Sequence, residues 1–269
     1  MAGSKARAIF RQLFDLESYT YTYLLGCPKT RAAVIIDPVD TQAERDVRIL
    51  KELDLKLIYA MNTHVHADHV TGTGILKSLT GCKSVISKLS GAKADVFVHE
   101  GDTVDFGDQR PKYLSCLSVF FFFLKRKTGI RGVVLGGFKA FALPVLTPFT
   151  PPKTQYDEQP VTSLKGGTPL AISHGRGSPE KLYDSVTSKI LSLPEDYLLY
   201  PAHDYHGMTV STVAEELRHN PRLTKSKEEF VEIMKSLGLT KPKKMDEAVP
   251  LNIMCGPSQL GESQQRMDQ

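Results

Sequence analysis

His64 and His66 stand two residues apart, with Asp68 and His69 directly behind them, in the run Thr63-His64-Val65-His66-Ala67-Asp68-His69. On an extended backbone such residues leave the same face, so the first two imidazoles can converge on one point while Asp68 and His69 follow as the chain turns. Neutral imidazole and carboxylate are donors that zinc and iron take. Three of them with one coordination position open make a catalytic rather than a structural site. The run holds three of the chain's eight histidines, a concentration that a polar surface loop has no reason to build. His203, in Pro201-Ala202-His203-Asp204, is a further candidate because it too closes a strand-like pattern; alone it reads as a strand-end histidine. His99, His174 and His219 are structural or exposed by default, and no residue is assigned as acid, base or nucleophile.

The elements needed to position these groups are legible on both sides. Strands are expected over 19–25, rich in Tyr and Thr, and over the apolar run 32–36, ended by Asp37-Pro38. Val47, Leu50 and Leu53 recur near helical spacing, and 55–60 reads as a buried strand. The histidine run begins where that strand should stop, the usual place for function in α/β layers. A helix follows over 74–79, then a short strand over 83–86. Later, Ser178-Pro179-Glu180 offers an N-cap and a first-turn proline, Leu182, Val186 and Ile190 lie four apart, and 197–200 is strand-like. Val210, Val213 and Leu217 suggest a helix stopping before Asn220-Pro221. Ser226 and Glu229 make a capping box for one bearing Phe230, Ile233 and Leu237 and ended by Gly238.

Residues 108–174 read differently. A Phe120-Phe121-Phe122-Phe123 run, the triplet Lys125-Arg126-Lys127 and Pro144, Pro148, Pro151 and Pro152 follow one another with no sustained period of strand or helix. So long a patternless stretch is unusual inside a compact domain.

Composition narrows the class. With 269 residues, 41% hydrophobic and 24% charged, the chain suits one large domain with a C-terminal appendage. Its net charge of +4 is spread over 34 basic and 30 acidic residues, so no nucleic-acid partner is expected. Cys27, Cys82, Cys116 and Cys255 are scattered and read as free thiols of a reducing compartment. The longest apolar stretch, 117–124, is far short of the roughly 20 residues a membrane span needs. Lys5, Arg7 and Arg11 precede the first acid, Asp15, as in a mitochondrial presequence, but a strand-like pattern already begins near Ile9. The compartment stays open between mitochondrial matrix and cytoplasm.

His-x-His-x-Asp-His is the signature of the metallo-β-lactamase superfamily, and within it the chain resembles the persulfide dioxygenases. The resemblance is carried by Tyr21-Thr22-Tyr23-Leu24-Leu25-Gly26, Ile36-Asp37-Pro38-Val39, Asn62 through His69 with Thr71-Gly72-Thr73-Gly74, Ser84-Val85-Ile86-Ser87 with Leu89-Ser90-Gly91-Ala92, Pro201 through Gly207, and Asn220-Pro221-Arg222-Leu223. It covers 9–107 and 177–256 of a single domain spanning 9–256, with a disordered tail at 257–269. The fold it implies is α/β, a four-layer αββα sandwich, interrupted in its second half by the non-matching segment 108–174. The activity implied is oxidation of glutathione persulfide by O₂ to sulfite and glutathione, with one Fe(II) per chain and a homodimer as the assembly. His64 matches the first iron ligand. His66, Asp68, His69 and His203 match positions that bind metal in dinuclear relatives and orient ligands here. Tyr23 and Tyr205 match positions near the substrate pocket. The family's other two ligands lie in Gly-His-Thr and Thr-Gly-Asp motifs, and neither occurs in this sequence. Neither His174 nor Arg176 is assigned in their place, and zinc capture by the remaining groups stays open. Two further readings therefore stand: a zinc-dependent thioester hydrolase of the glyoxalase II type, and an inert chain whose central block is a splice or gene-model replacement.

Overall fold

Apolar residues at consecutive positions force the early strands to be covered on both faces, which fixes the layering. In β2 (Tyr21–Gly26) and β3 (Ala32–Ile36), Tyr21, Tyr23, Leu25, Val34 and Ile36 point into one core, while Leu24, Ala33 and Ile35 point into another. The second core is closed by Ala43 and Leu50 of α1 (Ala43–Glu52) and by Ile75 and Leu76 of α2 (Thr73–Thr80). The first is closed by a facing sheet that contributes Val134 and Tyr200. Helix, sheet, sheet, helix is therefore the order of layers, as expected from the sequence. The computed structural model describes residues 8–116, 119–124, 132–135, 178–204, 207–236 and 242–259.

The first sheet runs β1 (Ile9–Phe14), β2, β3, β4 (Lys56–Met61), β5 (Lys83–Ser87) and β6 (Val96–Val98) in chain order. Its first three strands are antiparallel, and β3 to β6 are parallel. In the second sheet β7 (Lys112–Cys116), β8 (Val119–Leu124) and β9 (Gly132–Leu135) lead to β10 (Leu198–Tyr200) and β11 (Ser211–Thr212). Its outer face is covered by α3 (Pro179–Lys189), α4 (Val213–His219) and α5 (Lys227–Ser236) through Leu182, Val186, Val213 and Phe230. A last helix, α6 (Met245–Ile253), leans on the loop after β4 through Val249 and Ile253, beside Val65.

The stretch without a period thus supplies three strands over 112–135. Gly132–Leu135 is buried throughout, Val134 facing the other sheet and Val133 and Leu135 facing the helices, so no alternation was there to read. The Phe120–Phe123 run lies inside β8, paired to β7 and to β9; an unbroken apolar run carries no period by which a strand can be told from a buried helix. Residues 136–177, with His174 and Arg176, lie outside the described residues, as do Leu237 and Gly238.

Three other expectations shift. Val210 precedes the helix, which starts at Val213 because the Thr212 hydroxyl accepts from the Glu215 amide and Glu215 caps Thr212 in return. Pro257, the first residue assigned to the tail, is buried, and its carbonyl lies against Gly74. Neither β6 nor α6 was expected; α6 carries Pro250 and has no clean apolar period.

Candidate metal centre

The histidine run sits where β4 ends, at the rim between the sheets. Asp37 ends β3, and His203 follows β10 of the second sheet. The two sheets are tied together here: Thr20 and His203 form an isolated antiparallel bridge, the Tyr21 amide donates to the Ala202 carbonyl at 2.8 Å, and the Tyr21 hydroxyl donates to Asp204 at 2.8 Å. His64, His66, His69 and His203 are all buried.

Asp37 organises the first two imidazoles. It adopts a left-handed backbone with φ of 52°, a conformation a non-glycine residue keeps only when its surroundings require it. Its Oδ1 accepts from the Thr63 amide at 2.7 Å and faces His66 Nε2 at 2.9 Å, while its Oδ2 accepts the Thr63 hydroxyl at 2.8 Å. Burial alone would raise this carboxyl, but His66, His64 and the Thr63 amide hold it at about 2. An ionised carboxylate only accepts, so His66 carries its proton on Nε2 and presents a bare Nδ1. The single Thr63 proton is spent on Asp37. The 2.9 Å contact of Thr63 Oγ1 with His64 Nδ1 is therefore an N–H donated by His64, which leaves Nε2 as its lone pair. Burial pushes His64 well below the usual imidazole range and His66 below it too, so both are neutral, the form that binds metal.

Asp68 is held from the opposite side. Its Oδ2 lies 2.6 Å from His203 Nε2 and 3.4 Å from His69 Nδ1. Burial would raise this carboxyl, yet His203 and His69 keep it well below the usual range. His66, Asp68 and His69 each offer one ligand atom, and these atoms lie within 4.8 Å of one another. His64 stands against this group, its ring centroid 4.0 Å from that of His66, and His66 lies 4.2 Å from His69. His203 joins through Asp68.

Two residues that sequence reasoning missed shape the loop. Asn252 of α6 donates to the carbonyls of His66 and His69, each at 2.9 Å, and accepts from the Thr71 amide at 2.8 Å. An asparagine 181 to 186 positions downstream of its partners gives no sequence signal; Asp37, at the break Ile36-Asp37-Pro38, could have been found as the polar residue ending a buried strand. Gly74 is needed because a Cβ there would come within 2.3 Å of the Pro257 carbonyl.

Tyr23 lies on the inward face of β2. It is 0% exposed in the inter-sheet core, where its hydroxyl donates to the Pro201 carbonyl and accepts from Gln12 at 3.0 Å. An apolar position on the inward face of β2 put it there, and it supports the turn leading to His203. Tyr205 lies outside the described residues.

A family model described as the metallo-beta-lactamase superfamily matches residues 16–172, running into the segment that the sequence set apart. The mitochondrial persulfide dioxygenase ETHE1 of Mus musculus is 46% identical over 261 residues, which are 95% of this chain and 91% of that protein. The crystal structure of ETHE1 from Myxococcus xanthus superposes with a TM-score of 0.74 at 40% identity, covering 93% of this chain and all of that one. A hydroxyacylglutathione hydrolase of Gloeothece citriformis is 30% identical over 197 residues, 70% of this chain and 65% of that protein. By these likenesses and the loop geometry, the chain belongs to the persulfide dioxygenase family of the metallo-β-lactamase superfamily.

Proposed function

We propose that this chain oxidises glutathione persulfide with O₂ and water to glutathione and sulfite, using one Fe(II). The observation that carries the reading is the pair of buried imidazole nitrogens, His66 Nδ1 and His69 Nε2, that have no hydrogen-bond partner among the described residues. Orphaned polar atoms deep in a protein are costly unless something binds them, and here they stand beside the ionised Asp68. The donor set fits a metal ion: His64 is the ligand by resemblance, and His66, Asp68, His69 and His203 supply the donors around it or orient them. Bound iron would supply activation of O₂ toward the terminal sulfur of the persulfide. The protein's share is to keep His64 and His66 neutral, to aim their lone pairs through Asp37, and to hold Asp68 by His203. Residues 9–256 act as one domain in this reading, and the mitochondrial matrix and a homodimer are its proposed setting.

Reconstitution with Fe(II) under anaerobic conditions, followed by addition of glutathione persulfide, tests the reading. Oxygen uptake matched by sulfite formation is expected; a chain that holds iron and consumes no oxygen overturns it. The absence of the Gly-His-Thr and Thr-Gly-Asp motifs favours a second reading, in which the groups of this loop capture zinc and the chain is inert or cleaves thioesters. Thioester hydrolysis by the zinc-loaded protein, or no turnover with less than one metal per chain, would support it. Sequencing the transcript then decides whether the central block is authentic.

A further inference from the structure

Asp15 lies one loop away from the histidine run and is nevertheless almost fully buried, at 3% exposure. Its Oδ1 accepts from Gln42 at 2.9 Å, and its Oδ2 is 2.8 Å from the Ser18 amide and 2.7 Å from Ser18 Oγ. Ser18 Oγ is in turn 2.8 Å from Thr20 Oγ1, and Thr20 Oγ1 is 3.2 Å from His69 Nδ1. Hydrogen-bond counting gives this chain a direction. Burial would raise the Asp15 carboxyl, but the Ser18 and Gln42 donors keep it below the usual range, so it only accepts. Serine has one hydroxyl proton, and the charged acceptor takes it. Thr20 is then a donor, to Ser18 or to Asp68 Oδ2 at 3.5 Å, and in either case its oxygen is left to accept from His69.

We propose that Asp15, Ser18 and Thr20 are positioning residues that fix the His69 proton on Nδ1 and so keep Nε2 bare and aimed at the metal centre. The inference rests on the reading of His69 as a metal-facing group. It gives His69 what Asp37 gives His64 through Thr63: an ionised carboxylate acting through a hydroxyl, here through two. The orphaned, buried Nε2 of His69 is the independent sign that this edge of the ring is reserved. Asp68 Oδ2 also faces Nδ1, but at 3.4 Å it is the longer contact.

The test uses the full chain labelled with ¹⁵N-histidine, free of metal and at a pH alkaline enough for neutral imidazoles, with the tautomer read from ¹⁵N–¹H couplings. The parent is expected to show His69 protonated on Nδ1. Thr20→Val should populate the Nε2-protonated form and weaken anaerobic Fe(II) binding by about tenfold. Thr20→Ser should restore both, and Ser18→Ala should shift the tautomer in the same direction as Thr20→Val. An unchanged tautomer and affinity in Thr20→Val would overturn the relay, as would a Ser18→Ala chain indistinguishable from the parent. If Thr20→Val does not fold, Ser18→Ala and Thr20→Ser carry the decision. A parent that binds no Fe(II) overturns the functional reading instead, while the tautomer still decides the relay.

Discussion

Asp37 shows how a single carboxylate can set two ligands at once, and substituting it separates charge from shape. In Asp37→Asn the amide nitrogen would replace the oxygen that now accepts the Thr63 hydroxyl. Thr63 would then turn its proton toward His64 Nδ1, moving the histidine proton to Nε2, where a metal should bind. Affinity for Fe(II) or Zn(II) is expected to fall by about 10–100-fold, measured by competition with a chromogenic chelator, with the far-ultraviolet spectrum unchanged. Affinity equal to the parent's would show that Asp37 only holds the loop. At this scale the sequence was half legible. It singled out His64, His66, Asp68 and His69 by type and spacing, because adjacency in the chain is the signal for groups on one loop, and raised His203 only by its pairing with that run. It offered no such signal for groups that reach the loop from elsewhere, as Thr20 and Asn252 do.

Elements inherit their accuracy from periodicity and capping. The helices with caps written into the sequence were found where expected: Ser178 accepts from Lys181 at the start of α3, and Ser226 and Glu229 cap each other's ends at α5. Helix α6 has no such signature, and its contribution is to carry Asn252. Asn252→Ala would strip partners from two carbonyls and one amide in a buried loop. About 2–3 kcal/mol of stability should be lost, and Asn252→Asp, which keeps an acceptor but points a carboxylate at two carbonyls, should do no better. Urea unfolding reads both; a loss confined to Ala would place the effect in the acceptor alone. Helix α1 carries a different cost. Asp46 is 0% exposed, with Oδ1 2.9 Å from Arg45 and Oδ2 lacking a hydrogen-bond partner among the described residues. Burial outweighs Arg45 and lifts the carboxyl from 3.8 to about 6. Because the folded value lies above the unfolded one, the native state binds the proton more tightly, and this contribution is present below about pH 4 and lost as pH rises through 6. Asp46→Asn should therefore remove a decline between pH 4 and 6 and be more stable than the parent at pH 7.5, by on the order of 1–2 kcal/mol. Parallel urea midpoints across that range in the two proteins would contradict it.

For the whole molecule, the question is whether the second sheet is an integral half of the sandwich. The matching blocks alone would leave β10 and β11 as a two-stranded ribbon, which is marginal by itself. β9 changes that. It pairs in parallel with β10 through Leu198–Gly132, Leu199–Val133 and Tyr200–Val134. Its side chains enter both cores: Val134 joins the core that holds Tyr23 and Val34 of the first sheet, and Val133 and Leu135 join the one that holds Leu182 and Val186 of α3. His203 hangs from the end of β10, so the placement of that imidazole against Asp68 depends on packing supplied from the central segment. Leu135→Ala removes a buried side chain, 4% exposed, from the helix-facing core, and should cost about 2–5 kcal/mol. If the two sheets form one cooperative unit, the loss will appear as a single shifted transition, identical by far-ultraviolet dichroism and by amide-exchange protection of β2 and β3. Should the second sheet melt separately, dichroism would show an early step while the amides of β2 and β3 stayed protected. That result would mean the first sheet, with the histidine loop and Asp37, stands without the half that delivers His203.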